Sequence, residues 1–183
     1  YKIFTYMKGI LILSNNYNDM KDRENAHKKN DKAFLGRQHK WDLRYLELAK
    51  TIAGWSKDPS SQIGAIAVGS KGQVLAQGYN GFPRGMLDSP NLYSNREEKY
   101  ARIVHAEMNM IYNASFNGVC LNKSTVYVSG LPTCSDCAKG LIQVGVAELV
   151  MPRQKIDEKW HDSWQRSKSY YKEAGLKYRW VNL

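Results

Sequence analysis

The sequence predicts an α/β protein in three layers, α-β-α, with helices on both faces of a mixed five-stranded sheet. Three observations predict it. The last third alternates short apolar runs with helical stretches, the pattern of βαβ crossovers and neighbouring parallel strands. Two apolar runs earlier in the chain are separated by Gly69-Ser70-Lys71-Gly72, a turn-rich link short enough for a hairpin. Ahead of them, apolar residues recur at helical spacing. At 183 residues the chain is about one domain and long enough to bury a sizeable core.

Each element follows from its own signal. Tyr45, Leu48, Ala49, Ile52 and Ala53 recur at i, i+3, i+4, i+7 and i+8, an amphipathic helix starting near Trp41. It should stop near Ser56, because the residue before Pro59 is disfavoured in helical geometry. Ile63 to Val68 and Val74 to Tyr79 read as the hairpin strands. Gly78-Tyr79-Asn80-Gly81-Phe82-Pro83-Arg84-Gly85 is punctuated by glycine and proline and reads as a loop leaving a strand end. Asp88 to Lys99 reads as a polar excursion, and a helix is expected from about His105 to Phe116. Then follow strand Thr125 to Ser129, helix Cys134 to Val144, strand Glu148 to Met151, helix Asp157 to Ala174 and strand Leu176 to Val181. There is no internal repeat.

Residues 1–39 read as a basic, Asn/Lys-rich N-terminal extension, poorly ordered or peripheral, and residues 40–183 as the folded domain. The formal charge of +10 divides evenly: residues 1–40 hold nine Lys/Arg against four Asp/Glu, and the remainder eighteen against thirteen. The globular part is therefore only mildly basic, which argues against a nucleic-acid partner. Three cysteines cannot all pair, and two of them form a C-x-x-C. With no secretory signal, a reducing cytoplasmic location is expected. The run Ile10 to Leu13 is too short to span a bilayer.

The chemistry concentrates at Val104-His105-Ala106-Glu107 and at Pro132-Thr133-Cys134-Ser135-Asp136-Cys137. Cys134 and Cys137 lie at i and i+3 at a predicted helix start, where both sulfurs reach one side and the helix dipole favours thiolates. Two thiolates and the neutral His105 imidazole balance Zn²⁺ and leave the fourth tetrahedral position open. A closed structural site would need another ligand. Cys120, in an apolar context, is expected to be a buried thiol, and His161 is expected to be solvated. Glu107 is then the acid/base beside the metal. Water on zinc has a pKa near 7, roughly eight units below bulk water, so zinc-bound hydroxide with Glu107 as proton shuttle suits hydrolytic removal of an amino group from an amidine-like carbon.

These segments carry a resemblance. Together with Ser56-Lys57-Asp58-Pro59-Ser60-Ser61-Gln62-Ile63-Gly64-Ala65, Gly78 to Gly85, His105-Ala106-Glu107-Met108-Asn109 and Cys134-Ser135-Asp136-Cys137-Ala138-Lys139, the chain resembles the cytidine and deoxycytidylate deaminase superfamily, and within it the dCMP deaminases. The resemblance spans about Trp41 to Leu183. It implies the cytidine-deaminase-like three-layer fold, zinc on His105, Cys134 and Cys137, and catalysis by Glu107. It also implies Asn80 on the sugar or base, the Ala106 backbone along the pyrimidine edge, a homo-oligomer, and a nucleoside triphosphate effector at the Gly78 to Gly85 loop. Independently, an anionic nucleotide needs donors, and Lys57, Ser60, Ser61 and Arg84 lie on predicted loops. One departure stands inside the motif. Thr133 separates Pro132 from the first cysteine, where the family joins them directly.

The expected activity is conversion of dCMP to dUMP and ammonia. Free (deoxy)cytidine, CMP or dCTP are alternative substrates. A nucleic-acid editing deaminase would use the basic extension as an arm, but Trp160, Trp164, Tyr170 and Tyr171, spaced along one helix, are expected to form a core or oligomer face rather than to stack bases. A zinc-stabilised binding domain without activity would require a fourth protein ligand.

Overall fold

The computed structural model describes residues 25, 28, 29, 31 and 34–183. The expectation for the N-terminal extension falls largely outside them. The chain divides into two compact units, Tyr1–Trp41 and Asp42–Leu183. In the first, residues 34–41 are helical.

In the second unit, residues 42–53 form α1. They are followed by β1 (Gly64–Val68), β2 (Val74–Tyr79), α2 (Pro90–Ser94), α3 (Arg96–Arg102), α4 (Ala106–Phe116), β3 (Thr125–Ser129), α5 (Ser135–Gln143), β4 (Glu148–Pro152), α6 (Glu158–Ala174) and β5 (Lys177–Val181). The sheet order is β2-β1-β3-β4-β5. β1 runs antiparallel to both β2 and β3, whereas β3, β4 and β5 are parallel. The mixed sheet expected from the sequence is observed, with two short helices missed. The polar segment 88–99 contains α2 and the start of α3. α3 is set by Asn95, whose side chain accepts from the backbone N–H groups of Glu97 and Glu98, a local cap that no apolar periodicity announces.

Period-two alternation sorts the strands between two cores. Ala65 and Ala67 of β1, Val126 and Val128 of β3, and Leu149 and Met151 of β4 meet Met110, Leu141, Trp164 and Tyr171 from α4, α5 and α6. The intervening Ile66, Tyr127 and Val150 meet Leu46, Ala49 and Ile52 of α1. Gly64 lets α1 approach, because a Cβ there would stand 2.0 Å from the Ala49 carbonyl oxygen. The second face is also tied electrostatically. Asp42 accepts from Tyr127 Oη at 2.9 Å and from Arg179 Nη2 at 2.7 Å, and Arg179 Nε donates to Glu148 at 2.9 Å. Cys120 is exposed, not buried as its neighbours suggested. The adjacent Leu121 takes the core position instead, 4% exposed.

The register decides where the site forms. Gly64 pairs with both Tyr79 and Ser129, so the start of β1 and the ends of β2 and β3 share one edge of the sheet. The parallel strand β4 ends there too. The connections 54–63, 80–105, 130–134 and 153–157 therefore converge on that edge, where open α/β sheets collect ligands.

Candidate metal centre and catalytic cavity

Two helix N-termini meet at this edge. His105 is the N-cap of α4, in extended conformation (φ −70°, ψ 156°), and its side chain makes no capping bond, so the imidazole projects outward. Gly78 places α4 against β2. A Cβ there would lie 2.3 Å from Met110 N and 2.6 Å from Ala106 O. Cys134 is the N-cap of α5 and its sulfur accepts from the Cys137 N–H. His105 Nδ1 lies 3.3 Å from Cys134 Sγ and 3.4 Å from Cys137 Sγ. In a tetrahedral zinc site, with bonds of about 2.0 Å to nitrogen and 2.3 Å to sulfur, such pairs stand about 3.5 Å apart. The three donor atoms lie within 4.8 Å of one another and fit one ion. No fourth His, Cys, Asp or Glu joins this cluster among the described residues, and the sequence's candidates, Cys120 and His161, are both exposed.

The electrostatics agree with a metal-binding donor set. Cys134 is held down to about 4, first by the hydrogen bond from the Cys137 thiol and then by His105. Cys137 moves far upward, because its thiol proton is held against Cys134 and its surroundings are buried. His105 rises to about 9 as its hydrogen bond to Cys134 outweighs burial. A metal would displace these shared protons. Glu107 is 3% exposed. Burial pushes its carboxyl upward and the Cys134 thiolate adds to that, while His105 and the Thr133 hydroxyl act in the opposite direction. A carboxyl with raised affinity for protons in a buried site is equipped to carry one.

The segment holding Cys134 is clamped by one stripe of α6. Ser163 Oγ accepts from Ser135 N at 3.0 Å, and Ser167 Oγ donates to the Thr133 carbonyl at 2.9 Å. Ser163 and Ser167 are one turn apart and share a face with Tyr171.

His105, Glu107 and Cys134 open into a cavity of about 390 Å³, within the range of ligand sites. Ser60, Ser61 and Asn80 contribute from the loops, Arg96, Lys99 and Tyr100 from α3, and Lys159 and Trp160 from the start of α6. Asn80 is fully engaged in building the wall: its Oδ1 accepts from Ile63 N at 2.8 Å and its Nδ2 donates to Ser61 O at 2.8 Å. Ala106 is fully buried and does not line the cavity. Lys57 pairs with Asp88 at 2.8 Å and Arg84 donates to Asn113, so the structure brings neither into this cavity. Arg84 instead lines a second cavity of about 460 Å³ with Trp55, Tyr79 and Tyr112.

The cations that do line the catalytic cavity were missed by sequence reasoning. Arg96, Lys99 and Tyr100 lie at i, i+3 and i+4, one helical face, within a segment read only as polar. Lys99 donates to Asp58 Oδ1 at 2.8 Å, and Asp58 is itself 2% exposed. Trp160 also departs from its expected role, because it lines the cavity, while Trp164 and Tyr171 lie in the core as expected.

Comparison with known proteins agrees with the fold and the donor set. Residues 39–152 match the family model for the cytidine and deoxycytidylate deaminase zinc-binding region. A protein of Aliivibrio fischeri, "Uncharacterized deaminase in luxG 3'region", is 34% identical over 79% of this chain and 95% of its own length. The mouse deoxycytidylate deaminase is 34% identical over 76% of this chain and 78% of its own. Among solved structures, the dCMP deaminase of cyanophage S-TIM5 in complex with dCMP and dUMP superposes with a TM-score of 0.56 at 21% identity, over 76% of this chain and 95% of that one. The chain belongs to the cytidine and deoxycytidylate deaminase family of zinc-dependent hydrolases.

Proposed function

We propose that this protein hydrolyses the exocyclic amino group of a cytosine nucleotide, converting dCMP and water to dUMP and ammonia. One observation carries the substrate class. The cavity that holds His105, Glu107 and Cys134 also presents Arg96 and Lys159, cations suited to a phosphate, together with Trp160, an aromatic suited to a base. The relatives named deoxycytidylate deaminase support the same substrate.

In this reading His105, Cys134 and Cys137 hold zinc, which when bound supplies the Lewis acidity that makes water nucleophilic at neutral pH. Glu107 takes the proton of the attacking water and passes it to the ring nitrogen. As oxygen adds to the amino-bearing carbon, Glu107 carries the second proton to the departing nitrogen, and ammonia leaves. Ser61 donates to the phosphate or sugar, whereas the Ser60 hydroxyl is engaged with Asp58, and Asn80 holds the loop that presents Ser61. The cysteine loop closes one side through Leu131 and Pro132.

Self-association is supported by the exposed apolar face of α4, where Tyr112 and Phe116 are 51% and 84% exposed. A triphosphate effector would enter the second cavity, where Arg84 is the cation. No helix among the described residues is long and apolar enough to cross a membrane, and a cytoplasmic location goes with this reading.

The test is ammonia release from cytidine, deoxycytidine, CMP, dCMP and dCTP, with zinc content and assembly mass measured in parallel. dCMP should have the highest kcat/KM. Equal turnover of deoxycytidine and dCMP would remove the phosphate-binding role.

A further inference from the structure

Lys99 is 8% exposed and Asp58 2%, two opposite charges taken out of water beside the catalytic cavity. Lysine is seldom buried without a partner. Here Nζ lies 2.8 Å from Asp58 Oδ1 and 2.7 Å from Oδ2, and it also donates to Ser60 Oγ. An ammonium has three N–H donors, so these three acceptors occupy all of them.

Asp58 in turn closes the turn that follows it. Its Oδ1 accepts from Ser60 N and Ser60 Oγ, both at 2.9 Å, and from Ser61 N at 3.3 Å. Asn80 Nδ2 bonds Ser61 O at 2.8 Å and lies 3.3 Å from Asp58 Oδ2. The Ser60 hydroxyl is used twice, as donor to Asp58 and as acceptor from Lys99. The Ser61 hydroxyl is therefore the one this turn leaves for a ligand in the cavity that both serines line.

Stability alone is a poor reason for such a pair. Desolvating both charges costs nearly as much as their attraction returns, and apolar replacements of similar volume are often neutral or stabilising. What the pair does supply is a fixed distance. Arg96 stands one turn before Lys99 on α3 and lines the same cavity, with its guanidinium over the Tyr100 ring, 5.3 Å from the centroid. α3 is only seven residues long, too short to hold its place by its own helical bonds. Lys99 ties this helix to the Asp58 turn across 41 positions of sequence.

We propose that Lys99 is a positioning residue for phosphate recognition: paired with Asp58, it sets the span between Arg96 and the Ser61 hydroxyl without itself touching the phosphate. The inference rests on the reading above, in which the substrate is a cytosine nucleotide whose phosphate end meets Arg96. Without the ammonium, α3 and the turn separate, and Arg96 and Ser61 no longer both reach one phosphate. A nucleoside needs no such span.

The test compares wild type, Lys99→Met, Asp58→Asn and the double variant for zinc content, thermal midpoint, and kcat and KM on dCMP and deoxycytidine. Lys99→Met should fold with its zinc and lower the ratio of kcat/KM for dCMP to that for deoxycytidine about tenfold, the scale of one hydrogen bond to a charged group. The loss should fall on KM for dCMP. Asp58→Asn should lower the same ratio, and the double variant should be no worse than the more impaired single one, because the two groups act as a unit. An unchanged ratio in Lys99→Met at full zinc, equal losses on both compounds, or additive losses in the double variant would overturn the proposal and leave the nucleotide reading in place. A ratio kept or raised in Asp58→Asn would also overturn it, since a lysine freed from Asp58 would then be binding phosphate directly. A wild type with no preference for dCMP over deoxycytidine removes the phosphate reading and this inference with it. If Lys99→Met does not fold, Lys99→Gln, which keeps a donor for Asp58 but no charge, takes its place with the same expectations.

Discussion

Glu107 enters the cavity from the first turn of α4 with its charge opposed by burial, and this separates its role from that of the three metal donors. Glu107→Gln keeps the shape but cannot accept a proton, so turnover should fall by about 100-fold or more while bound zinc stays at the wild-type ratio. Near-normal deamination by this variant would end the proton-carrier role. In the proposed reading Arg96 and Lys159, which line the cavity, meet the phosphate end of the substrate. Their double replacement by alanine should raise KM for dCMP about tenfold or more, as expected for loss of charge-assisted contacts, and leave deoxycytidine kinetics unchanged. If both substrates suffer alike, the two cations shape the cavity rather than bind phosphate.

At the scale of elements, the site depends on α3 and α4 lying tightly against the hairpin and its loop. Asp58, on the loop before β1, is the anchor for α3. Burial would raise its pKa, but the bonds from Lys99 and Ser60 outweigh that and hold it below its ordinary 3.8. A carboxyl with a depressed pKa in the folded state contributes stability that is complete above the unfolded-state value and is lost as pH falls through the folded one. Acid titration below pH 3.8 should therefore destabilise the wild type more steeply than Asp58→Asn. Thermal melts of the two at matched pH check this, since acid loss of metal is common to both. Parallel slopes would mean that the Asp58–Lys99 pair carries no net linkage. For α4 the decisive contact is Gly78. Gly78→Ala would press a methyl group onto Met110 N and Ala106 O, backbone atoms that cannot rotate aside. It should cost about 1–3 kcal/mol in denaturant unfolding and lower zinc occupancy, because His105 starts that helix. The strands and α4, α5 and α6 were legible from periodicity, caps and turns. α2 and α3 were not, because they are short, polar and capped by a single asparagine.

Across the whole molecule, the sheet joins two faces with different tasks. One face carries the helices that bear the metal donors, and the other is closed by α1 over Ile66, Tyr127 and Val150. The link between α1 and the strands is the Asp42–Arg179–Glu148 network, in which Asp42 is 1% exposed. Arg179→Leu would leave that buried carboxylate without its guanidinium partner, and should cost about 3 kcal/mol, the scale of a broken buried ion pair. The catalytic constants of the folded protein should stay near wild type, since the network lies on the face of the sheet away from α4 and α5. A large fall in kcat at full folding would instead couple the α1 face to catalysis.

The sequence by itself determined the metal donors, the carboxyl beside them and the periodicities that build the sheet and its principal helices. Those signals are local, since one turn of helix spaces Cys134 from Cys137 and Glu107 follows His105 by two positions. Tertiary structure alone decided which charges line the cavity. Lys57 and Arg84 were drawn to Asp88 and Asn113, whereas Lys99 reached the cavity through a partner 41 positions away in the chain. It also decided what surrounds Thr133, whose backbone is held by a serine 34 residues downstream. Such pairings depend on the strand register that brings four connections to one edge, and no local pattern of residues encodes them.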